Sequence, residues 1–264
     1  MDLQLRSKTA FISGSTQGIG FAIAKQLLQE GANVIINGRT EERVNYAVAQ
    51  LKKEVPDAFV KGIAADFSTV SEVEKLIAEL PSVDILINNV GIFELKPFEE
   101  ISDADWLKFI EVNIMSGVRL SRALFPKMIE KNWGRIIFIS SESAMNVPAS
   151  MIHYGMTKTA MLAISNGLAK RTKGTGVTVN TLLGGPVYSE GVADTITEIA
   201  ATLNIEVEQM KSNIITNANP TSLLQRFIDP SEIATLAVFL ASPLSTAING
   251  ASLRADGGVL TTLT

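Results

Sequence analysis

The 264-residue chain contains no cysteine. That excludes thiol nucleophiles, disulfides and Cys-ligated zinc, and it fits a reducing compartment. A single histidine, His153, leaves no multi-histidine metal site, and no metal is expected. Basic residues are short as well: 23 Lys+Arg stand against 27 Asp+Glu, a net charge of −4, with no long run of either sign. Nucleic-acid binders normally carry a basic surplus, so that class is disfavoured. No apolar stretch reaches the roughly 18–20 residues needed to cross a bilayer. The opening MDLQLRSKTAFISG lacks the apolar core of a secretory signal. Linkers, repeats and low-complexity stretches are missing too. The expectation is a cytoplasmic protein with no membrane or nucleic-acid partner, built as one domain over residues 1–264, a size that needs no covalent staple.

What is present is an alternation of short β-rich apolar runs with longer helix-periodic segments. Strands are expected at 9–13 (TAFIS), 33–37 (NVIIN), 59–64, 84–88 (DILIN), 136–140, 177–183 and 252–255. Helices are expected at 21–30, from about Thr40, at 71–80, 103–131, 153–172 and 231–241, with Pro126 as a kink or local break. Continuously apolar strands separated by helices predict a parallel sheet covered on both faces. Right-handed crossovers then give a Rossmann-type, doubly wound α/β fold with ligands at the carboxyl ends of the strands. Residues 186–228 are too long for an ordinary connection and carry many apolar side chains, which predicts a helical substrate lid.

The first expected strand runs into Ser13-Gly14-Ser15-Thr16-Gln17-Gly18-Ile19-Gly20. Glycines here allow a tight turn and a close approach to a pyrophosphate, whose charge the helix N-terminus receives; Ser15 and Thr16 would add hydroxyl donors. The alternative is a glycine-rich turn with no ligand. The spacing, G-x-x-x-G-x-G, differs from the general dinucleotide fingerprint.

Other motifs follow in order: Asn88-Asn89-Val90-Gly91, Asn113, Ser141 thirteen residues before Tyr154, Tyr154-Gly-Met-Thr-Lys158, Asn249-Gly, and Asp256-Gly257-Gly258. Over nearly its whole length the chain resembles the classical short-chain dehydrogenases/reductases. The resemblance implies an oxidoreductase acting on CH–OH with a nicotinamide dinucleotide. It implies cofactor contacts from Gly14, Ser15, Gln17, Gly18, Ile19 and Gly20, from Asn89 and Gly91, and from Pro186 and Val187. It also implies a homotetramer built by the two long helices and the last strand. Asp66 matches a family aspartate at the adenine; it is otherwise a turn or cap residue.

An acidic residue about 20 positions past the first glycines usually selects NAD through the ribose 2′-OH. Here Gly38 takes that place and Arg39 follows. A guanidinium suits a 2′-phosphate through charge-assisted hydrogen bonds, so NADP(H) is favoured over NAD(H). The competing reading of Arg39 is a solvated side chain or a partner of Glu41 or Glu42.

Tyr154 and Lys158 are spaced i, i+4, which puts both on one face of a helix. Ketone reduction needs a proton donor at the developing alkoxide, and a free tyrosine with pKa about 10 is a poor one. A nearby ammonium is expected to lower that pKa. By resemblance, Lys158 and Tyr154 also meet the cofactor, Ser141 holds the substrate oxygen, and Asn113 keeps a water in a relay to Lys158. Taken singly, each is an ordinary surface, turn or cap residue; only their joint spacing points to chemistry. His153 lies on another helix face and reads as structural or substrate-adjacent.

The pattern breaks after the sixth strand. Gly184 stands where relatives have proline, which predicts a looser hinge, and Val187 has no side-chain donor, a role Ser189 would have to take. Tyr188 reads as a ring at the pocket mouth or as lid packing. The leading reading is an NADP(H)-dependent enzyme interconverting a neutral ketone and a secondary alcohol. A 3-oxoacyl-[acyl-carrier-protein] reductase is the close alternative and needs a basic docking patch, for which Lys127, Lys131 and Arg135 are candidates. A non-catalytic dinucleotide-sensing protein is the alternative of another class, and it would be expected to have lost Tyr154 or Lys158.

Overall fold

The computed structural model describes residues 1–263; the last residue of the expected 1–264 domain lies outside the described residues. A seven-stranded sheet, all parallel, has the order β3-β2-β1-β4-β5-β6-β7. Its strands are β1 (Thr9–Ile12), β2 (Asn33–Gly38), β3 (Val60–Ala64), β4 (Ile85–Asn88), β5 (Gly134–Ser141), β6 (Val177–Gly184) and β7 (Ser252–Ala255). The helices are α1 (Gly18–Gln29), α2 (Glu41–Glu54), α3 (Val70–Glu79), α4 (Asp103–Phe109), α5 (Ser116–Glu130), α6 (Ile152–Lys170), α7 (Glu190–Leu203), α8 (Val207–Ala218) and α9 (Pro230–Ala241). This is a single-domain Rossmann-type α/β fold.

The strands are apolar on both faces because both are covered. Ile12, Ile36, Ile87 and Ile139 face one core, closed by Ile23 and Leu27 of α1, Leu51 of α2 and Ile233 of α9. Their neighbours Phe11, Ile35, Leu86 and Phe138 face the other, closed by Leu76 of α3, Leu124 of α5 and Met161 of α6. Alternate residues of a strand point to opposite faces, so one apolar run feeds two cores. Successive strands are added on one side of β1 up to β3 and on its other side from β4 onward, and the crevice beyond the carboxyl ends of β1 and β4 is the topological switch point.

Three expectations need correction. Pro126 lies inside α5, which continues to Glu130, and the irregularity sits earlier, as a π-helical stretch at Ile110–Met115 between α4 and α5. A π turn inserts an extra residue into the helical ladder and re-aims the side chains it carries, here including Asn113. Gly184 is no hinge, since it closes β6 in register with Ser141 of β5 and Ala255 of β7. The segment that departs from the sheet begins after it and returns to itself: Ile228 N–H donates to Pro186 O (2.8 Å), and Tyr188 N–H donates to Ile228 O (3.0 Å). Between these ends stand α7 and α8, so the expected insertion at 186–228 is helical. Tyr188 packs within that segment, edge-on to Phe227 and under Lys211 Nζ, 4.4 Å from its ring centre.

Arg135 supplies the third correction. It is 1 % exposed, at the amino end of β5, where its guanidinium donates to the carbonyls of Gly134, Gly176 and Ser242. Burial lowers its pKa to about 10. Lys131 pairs with Asp84 at the same amino edge of the sheet. A docking patch made of Lys127, Lys131 and Arg135 therefore does not form at the mouth of the crevice: one member is internal, and another is paired at the opposite sheet edge.

Candidate active site

The turn after β1 is held from below by polar side chains. Gly14 has φ +61°, a left-handed conformation that glycine adopts at little cost, and its N–H donates to Asn37 Oδ1 (3.0 Å). Asn89 Nδ2 donates to the carbonyls of Ser13 (3.1 Å) and Gly14 (2.7 Å), joining the turn to the end of β4. Ser15 corrects the sequence reading. Its hydroxyl is fully buried and donates to Ile12 O (2.7 Å), so it braces the turn and does not face a ligand. Gln17 caps α1 without a side-chain bond, and Gly18 N–H is taken by Glu190 Oε2 at 2.7 Å, from the first residue of α7. A carboxylate at this helix end shows that the position accepts an anion.

Gly20 is where helix and turn come closest. A Cβ there would lie 2.6 Å from Gly14 O and 2.8 Å from Ser15 Cα, both backbone atoms that cannot swing away. Gly20→Ala is expected to destabilise the protein by about 1–3 kcal/mol, as overpacking does. Thermal unfolding checks this, and an unchanged melting temperature contradicts it.

Beyond the turn, Gly14, Gln17, Gly38, Arg39, Asp66 and Asn89 line a cleft of about 320 Å³ together with Thr16, Arg43 and Lys108. Arg39 is exposed and forms no ion pair with Glu41 or Glu42 among the described residues. Arg43, in the first turn of α2, was not singled out from the sequence; its place just after the Thr40 cap, four residues beyond Arg39, was the available signal. A Cβ on Gly38 would sit 2.4 Å from Thr16 Cγ2, so this position also has no room for an acidic side chain. Asp66 accepts from the N–H and hydroxyl of Ser68, both at 2.8 Å, a turn role that coexists with its place in the cleft.

A second cavity of about 400 Å³ shares Asn89, Gly91 and Ile92 with the first. It is lined by Ile19, Ser141, Glu142, Tyr154 and Lys158, with Pro186, Val187 and Ser189 from the segment beyond β6. Ser141 ends β5, and Tyr154 and Lys158 lie on α6, which packs against that strand. Lys158 is buried; its Nζ donates to Ile139 O (3.0 Å) and lies 5.5 Å from the Tyr154 ring centre. Burial lowers its pKa to about 8.

Tyr154 departs from the sequence expectation. Its pKa is raised, first by burial and then by the negative charge of Glu142, while a hydrogen bond with Ser141 opposes the rise. Loss of water around the phenol sets the direction, because burial disfavours the charged phenolate. Asn113 uses both ends of its amide on the strand-end loop: Oδ1 accepts from Ile92 N–H (2.8 Å), and Nδ2 donates to Ile92 O (2.9 Å) and Thr157 Oγ1 (3.0 Å). A Cβ on Gly91 would lie 3.3 Å from Lys158 Nζ and 3.8 Å from Asn113 Oδ1, which puts these groups around one point. His153 is fully buried against Phe109 (ring centres 4.0 Å apart) and Trp106, on the far side of α6 from the cavity, and burial lowers its pKa.

Glu142 is the residue that sequence reasoning missed. It begins a short 3-10 turn after β5 and bends back over it, accepting from the hydroxyls of Ser141 and Ser143. Burial raises its pKa against those hydrogen bonds.

The family model of the short chain dehydrogenases matches residues 8–199. The chain belongs to this family. The dehydrogenase is 48 % identical to the uncharacterized oxidoreductase YvaG of Bacillus subtilis (strain 168) over 98 % of both chains. It is 33 % identical to the D-beta-hydroxybutyrate dehydrogenase of Cupriavidus necator, over 96 % of this chain and 98 % of the relative. Among solved structures, L-sorbose reductase from Gluconobacter frateurii, complexed with NADPH and L-sorbose, superposes with a TM-score of 0.93 at 30 % identity over the full length of both chains. The dehydrogenase is an oxidoreductase of the alcohol–carbonyl class that uses a nicotinamide dinucleotide. No helix among the described residues is long and apolar enough to cross a membrane.

Proposed function

We propose that this dehydrogenase is an NADP(H)-dependent reductase of neutral ketones, reversible to secondary-alcohol oxidation, with Tyr154 as its acid/base group. One observation carries the reading: the cavity holding Ser141, Tyr154 and Lys158 shares Asn89, Gly91 and Ile92 with the cleft that Arg39 and Arg43 line. A dinucleotide fits these residues, because Gly14 and Gln17 of the turn line the cleft and the start of α1 takes an anion.

When bound, the nicotinamide supplies or accepts the hydride. Tyr154 holds its phenolic proton at neutral pH and delivers it to the alkoxide oxygen during reduction, with the ammonium of Lys158 opposing the burial that raises its pKa. Ser141 turns its hydroxyl from Glu142 toward the substrate oxygen, a bond that strengthens as negative charge develops there. Lys158 contributes positive potential below Tyr154, and Asn113 holds the Ile92 loop and the Thr157 hydroxyl in register with it. Residues 186–228 act as the lid. Glu190 of that lid holds the Gly18 N–H that a pyrophosphate would take, so cofactor binding and lid position are coupled through one donor. L-sorbose reductase, the structural neighbour with NADPH, performs the same class of reaction by name.

Arg39 sets the cofactor preference in this reading. Arg39→Ala is expected to raise the KM for NADPH by about 10–100-fold, the size of a lost charge-assisted contact, and to change that for NADH by less than about 3-fold. Parallel kinetics with both cofactors and a panel of ketones test the function and the preference together. Equal effects on the two cofactors sink the assignment of Arg39.

A further inference from the structure

The lining of the catalytic cavity has one feature that the reaction does not require. Of its ionisable side chains, Tyr154 and Lys158 are used in the proposed chemistry, and Glu142 is left over. Its carboxylate has no ion-pair partner among the described residues. It is held by the hydroxyl of Ser141, by that of Ser143 at 3.2 Å, and by the backbone N–H groups of its own turn. A half-buried carboxylate bonded by neutral donors, with the Lys158 ammonium acting on it only at a distance, gains from each further donor it receives.

The contact with Ser141 makes this deficit depend on substrate. Ser141 Oγ already accepts from Ser143 N–H (3.1 Å), and its single proton is given to Glu142 Oε2. A hydroxyl has one proton, so Ser141 cannot donate to a substrate carbonyl and to Glu142 at once. When it turns to the carbonyl, Glu142 loses a donor in a desolvated cavity. A hydroxyl on the carbon next to the carbonyl restores it. Ser141 Oγ and Glu142 Oε2 are one hydrogen bond apart, and the two oxygens of a hydroxy ketone have a similar separation when they lie on the same side of the carbon–carbon bond. The carbonyl then takes the proton of Ser141 while the substrate hydroxyl gives its own to Glu142.

We propose that Glu142 is a substrate-selecting residue of this cavity, and that the preferred substrates are uncharged ketones bearing a hydroxyl on the adjacent carbon, with the corresponding vicinal diols as products. This rests on the ketone-reductase reading above and narrows it. The rest of the lining agrees. Ser143, Ser150 and Asn219 offer further polar contacts to a hydroxylated chain. Among the described residues no arginine or histidine lines the cavity, and its one lysine is turned to Ile139 O. A carboxylate or phosphate in the place of that hydroxyl would be set against Glu142, while the ammonium of Lys158 is turned to Ile139 O.

The test compares kcat/KM for 1-hydroxy-2-butanone, 2-butanone, 2-oxobutanoate and 1-amino-2-butanone with NADPH, in the unmodified enzyme and in Glu142→Gln and Glu142→Leu. The unmodified enzyme is expected to favour the hydroxy ketone over 2-butanone by about 100-fold or more, as a site built to bond a hydroxyl does. Glu142→Leu should bring that ratio to within about 5-fold, and Glu142→Gln, which retains an acceptor oxygen, should fall between. A ratio near one in the unmodified enzyme overturns the proposal, and that measurement needs no variant to fold. A ratio unchanged in Glu142→Leu, or a preference for 2-oxobutanoate or the amino ketone, overturns it as well. If the unmodified enzyme reduces no ketone with either cofactor, the ketone-reductase reading falls and this inference with it. If it reduces 2-butanone and the hydroxy ketone equally and Tyr154→Phe does not, the reaction stands and only the role of Glu142 is lost.

Discussion

Tyr154→Phe is expected to lower kcat for ketone reduction by about 10²–10⁴-fold, the usual range for a positioned proton donor. The variant removes one oxygen from a ring that keeps its place on α6. The other donors in the cavity cannot easily stand in. Ser141 has one proton and uses it to hold an acceptor, while Lys158 Nζ is turned to Ile139 O. The substitution should leave thermal stability within about 1 kcal/mol of the original, and it removes a group whose ionisation burial already opposes. NADPH consumption, thermal unfolding and NADPH binding measured on the same preparation separate lost chemistry from lost structure. A fall of less than 10-fold, with the fold and NADPH binding intact, removes Tyr154 from the role of proton donor.

Lys158→Met should do something less intuitive: abolish turnover and make the cofactor-free protein more stable at neutral pH. Burial depresses the lysine pKa from 10.5 to about 8 in the folded chain. At about 1.4 kcal/mol for each tenfold change in proton affinity, keeping this ammonium buried costs the native state roughly 3 kcal/mol. The unfolded chain binds the proton more tightly, so the cost is fully present below pH 8 and disappears as pH rises toward 10.5. Methionine keeps the stem's volume and has no charge to desolvate, though it gives up the bond to Ile139 O, worth about 1 kcal/mol. The net expectation is a gain of about 1–2 kcal/mol at pH 7 that shrinks and then reverses toward pH 10. Urea unfolding of both proteins across this pH range reads it directly. A Lys158→Met variant less stable than the original at pH 7 would show that the ammonium is better compensated than its surroundings suggest. The trade is a familiar one, since a charge placed for chemistry is seldom placed for stability.

Both expectations concern residues that the sequence alone picks out, and the reason is local. Tyr154 and Lys158 are related by one helical turn, so their proximity follows from α6 alone. The glycine turn is likewise a property of consecutive residues, and the apolar runs that became β1, β2, β4, β5 and β6 could bury themselves only in a covered parallel sheet. Expectations that depended on surroundings fared less well. Arg135 reads as a surface cation, but the carbonyls of Gly134, Gly176 and Ser242 converge on it inside the protein. Ser15 reads as a ligand donor, but its hydroxyl closes the turn from within. Gly184 reads as a hinge, and pairing on both sides holds it in the sheet.

Tyr154 and Lys158 mark the boundary well. Short-range spacing along the chain determined that a tyrosine and a lysine would share a helix face, and that a glycine-rich turn would open the first helix of a doubly wound sheet. Only the tertiary structure decided the protonation of that pair, because desolvation is set by everything that packs around a group and by nothing in its immediate sequence. It raised the pKa of Tyr154 where the adjacent lysine alone predicted a fall. It also turned Glu142, the neighbour of Ser141 in sequence, into the cavity beside Tyr154 and Lys158, and brought Glu190 across 172 residues to the start of α1. Long-range contacts of this kind have no periodicity to read; they exist once the sheet and its lid have closed over them.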